Sequence, residues 1–190
     1  MTELLNHITI FLFYTNKLLF FFSIYIKLEF LYLILRKDIS NSKKYLINWM
    51  KKAIKVASEN KKEVPVGALI VLDNKLIAKS SNQVFTNNDP TAHAEILVLR
   101  KASRILKNYR LSNCEMFVTL EPCMMCLGAI LHSRIKKLYF SSSNEKYGLI
   151  CPHGNQQHVN SLKRKLKFHK GLLQNKSSNL LEKFFEKRRS

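Results

Sequence analysis

The stretch "EMFVTLEPCMMCLGAILHSRIKKLYFS", Glu115 to Ser141, decides the fold. "EMFVTL" reads as a strand. Pro122 suits the first position of a helix, and the apolar run carries that helix to about His132. "KKLYFS" then reads as another strand. Upstream, Leu46, Met50, Ala53, Ile54 and Ala57 recur at helical spacing with Lys between them, so an amphipathic helix begins near Lys43 and ends near Lys61. "VPVGALIVLD" reads as a buried strand, and Asp73-Asn74 as a hairpin turn into "KLIAKS". Ser81 to Pro90 is expected to be loop, and His93 to Leu106 a second helix. Downstream, Ser141 to about Asn160 is expected to be irregular. "KLKFHKG" reads as a last strand and Leu180 to Arg189 as a closing helix. Strands alternating with helices argue an α/β layered sheet. No internal repeat interrupts the pattern.

A chain of 190 residues with 46% apolar content can form one domain with a substantial core. Its charge is less ordinary. Thirty-two Lys and Arg against thirteen Asp and Glu give a formal charge of +19. Such an excess attracts polyanions, nucleic acid being the commonest. An AT-rich genome would also raise Lys, Asn, Ile and Phe without any binding purpose. The four cysteines, Cys114, Cys123, Cys126 and Cys151, are too few for a secreted disulfide scaffold. A C-x-x-C pair in a mixed α/β chain points instead to a reducing compartment, the cytoplasm, and to metal or redox chemistry.

Residues 1–36 form a hydrophobic N-terminal extension, and the functional domain is expected at 37–190. Lys17, Lys27 and Glu29 interrupt the extension, so no charge-free run reaches the roughly 18 residues of a spanning helix. It lacks the early positive region and cleavage site of a secretory signal. A translated upstream region, a membrane anchor and a targeting segment all stay open.

The chemistry lies in two short motifs. Cys123 and Cys126 stand three apart at a helix start, where their sulfurs share a face and the helix dipole favours thiolate. They can be a redox pair or half of a zinc site. A closed structural site would draw on Cys151 and His153. His93, also at a helix start, offers a better third ligand if two helices enter side by side from one sheet edge. Three protein ligands leave a fourth position for water, whose pKa zinc lowers to about 7. Glu95 is the less comfortable ligand and the better proton shuttle between that water and a leaving nitrogen.

H-x-E followed by P-C-x-x-C is the signature of zinc nucleobase deaminases. The sequence resembles the bacterial tRNA-specific adenosine deaminases, members of the zinc-dependent cytidine/deoxycytidylate deaminase superfamily, which convert the wobble adenosine of arginine tRNA to inosine. The likeness rests on "EVPVGALIV", Asn82, "DPTAHAEI", "NYRL", "VTLEPCMMCLGAILHSRI" and "LLEKFFEKRR", and covers about Lys43 to Arg189. It implies a cytidine deaminase-like, three-layer α/β/α fold with a mixed five-stranded sheet, and a homodimer. His93, Cys123 and Cys126 match the ligands of one Zn2+ per subunit, and Glu95 the proton shuttle. Asn82 matches a residue that bonds the flipped base, and Val66 and Ala94 part of the base pocket. Lys146, Phe185 and Arg189 match contacts to the anticodon loop of the tRNA.

Blander roles stand beside these. Asn82 can stabilise a turn, one of Phe184 and Phe185 can be core, and the terminal arginines can be a solvated tail. Two departures matter. Asn144 stands where the family usually has Asp, which bears on the ribose hydroxyl. "CPHGNQQHVNSLKRK" drifts from the family pattern, with Lys163 in place of Asn. The competing activity is zinc-dependent deamination of a free base or nucleoside of the guanine or cytosine type. A non-catalytic RNA-binding subunit is disfavoured because Glu95 is present.

Overall fold

The computed structural model describes residues 40–148, 150 and 166–189. Residues 1–36, Cys151, His153 and Lys163 lie outside them. The compact unit that carries the sheet begins at Leu46.

Strand β1, Gly67–Leu72, and β2, Lys75–Ser81, form an antiparallel hairpin. Both turn residues take left-handed backbone angles, φ 46° at Asp73 and 59° at Asn74. A two-residue turn matched to strand twist requires this, and Asp and Asn tolerate it. On its other side β1 pairs antiparallel with β3, Glu115–Leu120. β3 runs parallel to β4, Lys137–Ser142, and β4 parallel to β5, Lys167–Lys170. The order β2-β1-β3-β4-β5 is the mixed five-stranded sheet that the resemblance implied. A tight turn cannot join parallel strands. The crossover from β3 to β4 is therefore helix α4, Met124–His132.

Side chains alternate across the sheet and sort into two layers. Ala68, Ile70, Met116, Val118, Leu138 and Phe140 cluster with Ala94, Val98 and Ala102 of α3, Ala94–Leu106, and with Leu127 and Ile130 of α4. The residues between them point the opposite way. There Phe117 stacks on Tyr139 with ring centroids 4.6 Å apart, and Trp49 reaches Phe117 at 6.4 Å. Trp49 belongs to α1, residues 40–59, whose buried face is Trp49, Met50, Ala53, Val56 and Ala57. That face is rotated from the expected one: Leu46 and Ile54 are only partly buried. A Cβ at Gly67 would collide with the Ala53 carbonyl and lie 2.6 Å from the Ala57 nitrogen, so glycine lets α1 press against β1.

Several boundaries differ from expectation. Val64 to Val66 do not join β1. Pro65 has no N–H for the ladder, and the Val66 N–H closes instead onto the Val64 carbonyl at 2.7 Å. The expected loop after Ser81 contains a short helix, α2, Val84–Asn87, ended by a left-handed Asn88. The last helix, α5, begins at Gln174 rather than Leu180. Its polar first turns carry no periodicity. They are held by tertiary bonds, from the Ser177 hydroxyl to the Thr119 carbonyl at 2.6 Å and from the Ser142 hydroxyl to the Gln174 carbonyl at 3.3 Å. Among the described residues no helix is long and apolar enough to cross a membrane.

Candidate metal centre and substrate cleft

α3 and α4 lie on the same face of the sheet and begin beside each other. The turn into α3 is built by Asp89, whose carboxylate accepts from the Thr91 N–H and hydroxyl, both at 2.7 Å. His93 then caps α3 with extended backbone, φ −66° and ψ 150°. Cys123 caps α4 the same way, φ −70° and ψ 173°, its backbone bridged to Gly148. Pro122 therefore precedes the cap rather than opening the helix. That bridge keeps the chain extended through Cys123. The His93 ring makes no capping bond to α3 and is free to turn toward Cys123.

They meet with Cys126 from the first turn of α4. His93 Nδ1 lies 3.7 Å from Cys123 Sγ and 3.4 Å from Cys126 Sγ, and the three donor atoms fall within 4.8 Å of one another. For sulfur at about 2.3 Å and nitrogen at about 2.0 Å from a tetrahedral ion, the nitrogen–sulfur edge is roughly 3.5 Å. The two observed distances bracket that edge. The donor set also has a charge to offer. Hydrogen bonds from Cys126 and His93 hold the Cys123 thiol down at about 4. Cys126, which gives its hydrogen to that thiolate and is buried, is pushed up. The bond to Cys123 raises His93. A metal would displace the remaining proton and take both sulfurs.

Glu95 is the second residue of α3, in its first turn, and is only 4% exposed. Burial raises its carboxyl above the ordinary range, against the opposing pull of its own backbone N–H and of His93. His93, Glu95 and Cys123 line a cleft of about 650 Å³. Val66, Asn82, Asn144, Lys146 and Phe185 line it too. Two expected contacts are not brought there. Ala94 is fully buried in the core beneath α3, and Arg189 is exposed at the end of α5. Of the two phenylalanines, Phe185 is the exposed one. Phe184 is half-buried under Arg188, whose guanidinium lies 4.6 Å from the Phe184 ring and 4.9 Å from that of Phe85. The Asn144 amide is engaged in its own loop, accepting from the Tyr147 N–H at 3.1 Å and donating to the Glu121 carbonyl at 3.5 Å.

Sequence reasoning passed over two buried acids, Glu121 in the cleft lining and Glu63 behind it. Glu121 accepts from the N–H groups of Asn144, at 3.1 Å, and Ile150, at 2.7 Å, and so shapes the loop that carries Lys146. Glu63 is 1% exposed and accepts from Thr86 and Asn82. Both stand within stretches quoted for the resemblance. The available signal was an acid running straight into proline and apolar residues, Glu63-Val64-Pro65 and Glu121-Pro122.

Comparison with known proteins agrees with this geometry. A family model of MafB19-like deaminases matches residues 45–189. The tRNA-specific adenosine deaminase of Buchnera aphidicola subsp. Schizaphis graminum is 46% identical over 143 residues, 74% of this chain and 94% of the relative. A solved structure from work on A-to-I editing by tRNA:A34 deaminases at the wobble position of transfer RNA is 36% identical. It superposes with a TM-score of 0.64 over 70% of this chain and 99% of that one. The guanine deaminase of Nitrosomonas europaea shares the fold, at 24% identity and a TM-score of 0.63 over 71% of this chain and 81% of its own. With a metal-binding triangle at two helix starts and a likeness running through nearly the whole length of the Buchnera enzyme, the chain belongs to the tRNA-specific adenosine deaminase family.

Proposed function

We propose that the chain hydrolyses the wobble adenosine of a tRNA anticodon loop, arginine tRNA first among them, to inosine and ammonia. The observation that carries this reading is the triangle of His93, Cys123 and Cys126 with the buried Glu95 on the same cleft wall. The three ligands hold one zinc ion per subunit. Zinc, when bound, lowers the pKa of a water ligand to about 7. Glu95 takes a proton from the attacking water and returns it to the departing amine, which a carboxyl raised by burial can do near neutrality. The water oxygen ends on C6 as the carbonyl of inosine.

Val66 bounds the base, and Asn82 bonds it. Asn144, Lys146, Phe185 and Arg189 meet the anticodon loop, where lysine and arginine neutralise phosphate and an exposed ring stacks on an unstacked base. Flipping the target base costs least in a loop. A cleft bordered by exposed Phe185, with Arg188 and Arg189 ending the same helix, suits a polymeric substrate. A free base or nucleoside of the guanine or cytosine type needs no such rim. We further assign 37–190 to the deaminase domain and 1–36 to an appended hydrophobic extension. The working form is a cytoplasmic homodimer, and cell fractionation reads any membrane contact made by the extension.

The test is sequencing of arginine tRNA after incubation with purified protein, with zinc measured alongside. Inosine at the wobble position and one zinc per chain are expected. Deamination of free guanine or cytosine with an unaltered tRNA would overturn the reading.

A further inference from the structure

Glu63 sits behind the cleft and is sealed from solvent, and its carboxylate holds Asn82 of the cleft wall together with Thr86 of α2. Its Oε1 accepts from the Thr86 N–H at 2.6 Å and the Thr86 hydroxyl at 2.9 Å. Its Oε2 accepts from Asn82 Nδ2 at 3.3 Å. A carboxylate can only accept. The two ends of a carboxamide have nearly the same shape, so Asn82 would fit its site either way round. An acceptor-only neighbour removes that freedom by binding the nitrogen. Among the described residues Asn82 Oδ1 has no hydrogen-bond partner, and it is not among the described atoms that are both buried and unpartnered. Asn82 lines the cleft, so the oxygen is what the cleft receives, beside the N–H that Glu63 leaves over.

We propose that Glu63 is a positioning residue which locks the Asn82 carboxamide oxygen-first, so that Asn82 pairs with an adenine edge and mismatches a guanine edge. An amide oxygen beside an amide N–H complements an amino donor beside a ring-nitrogen acceptor. Asparagine pairs in this way with the amino group and N7 of adenine in duplexes. The same donor–acceptor pair recurs at the amino group and N1. Guanine offers two acceptors, O6 and N7, on the first edge and meets the amide oxygen with repulsion. Were the amide free to turn, its nitrogen would face the cleft and the preference would weaken. The lock thus selects the purine within the tRNA reading. It rests on that reading and on Asn82 meeting the base.

The experiment uses the zinc-loaded full chain and three anticodon stem-loops, carrying adenosine, 7-deazaadenosine or 1-deazaadenosine at the wobble position. The last has no N1 to take up a proton when water adds at C6, so its affinity is read as an inhibition constant. Glu63→Gln offers Asn82 a donor as well as an acceptor and so unlocks it. On adenosine, kcat/KM falls about tenfold, the worth of one hydrogen bond, carried mainly by KM. On the deaza stem-loop that lacks the paired nitrogen, the unaltered protein has already lost that bond. The further loss from Glu63→Gln is there below about twofold, since the bond it would weaken is gone. In an Asn82→Ala background the Glu63 substitution adds nothing. Glu63→Asp, which keeps the acceptor and shortens its reach, carries the same comparison if Glu63→Gln does not fold. An equal loss on all three stem-loops would reduce Glu63 to a structural role and overturn the proposal alone. Failure of the unaltered protein to make inosine in the adenosine stem-loop would overturn the tRNA reading, and this proposal with it.

Discussion

Glu95 and Glu63 are both buried carboxyls at one cleft, 4% and 1% exposed, and their protons are held in opposite ways. Burial raises both. At Glu95 it wins, because the backbone N–H and His93 oppose it too weakly. At Glu63 it loses to the Thr86 N–H and hydroxyl, the Phe85 N–H and the Asn82 amide, and the carboxyl ends below its ordinary range. Desolvation and the donors aimed at a buried acid together decide whether it is a proton carrier or a fixed acceptor. One cleft holds each kind: a carboxyl that keeps its proton beside the metal-binding triangle, and a fixed charge behind the wall.

That contrast can be broken most severely by removing the metal corner itself. Cys123→Ala leaves one sulfur and one imidazole, so zinc measured in the purified protein falls to near zero and inosine formation to background. Glu95→Gln comes next. It keeps the shape and loses the proton, and kcat falls by roughly 10²–10⁴ with zinc content unchanged. Full zinc with full activity would remove Glu95 from its role.

The third test sharpens the comparison through pH. The Glu63 pKa is depressed in the fold, so its contribution is present above the unfolded value and lost as pH falls through the folded one. Glu63→Gln therefore costs about 1–3 kcal/mol at neutral pH, read by urea unfolding, and the gap to the unaltered protein closes below about pH 4. Glu95 predicts the opposite sign and the smallest effect. Its folded pKa is raised, so ionising it costs stability as pH rises above the unfolded value. In chelator-treated protein Glu95→Gln raises Tm by about 2 °C at neutral pH, and the difference vanishes in acid.

How much of this was legible beforehand depends on range in sequence. The Asp73-Asn74 turn was readable because both residues supply their own backbone preference. The ligand pair Cys123 and Cys126 was readable because three residues of helix fix its geometry. The bonds of Glu63 to Asn82 and Thr86 span 19 and 23 residues, and no local spacing encodes them. The start of α5 was missed for the same reason, since Ser177 is helical by virtue of a bond to Thr119. The family resemblance implied that Ala94 belongs to the base pocket, but α3 turns its side chain into the core.

The sequence by itself determined the alternation of strands and helices, the residue types of the metal corner and the family. Each depends on the order and spacing of neighbours along the chain. Only the tertiary structure decided which acid carries a proton and which is fixed. A carboxyl's pKa is set by the donors and the dielectric around it, and in this cleft those come from chain segments that only the folded sheet brings together.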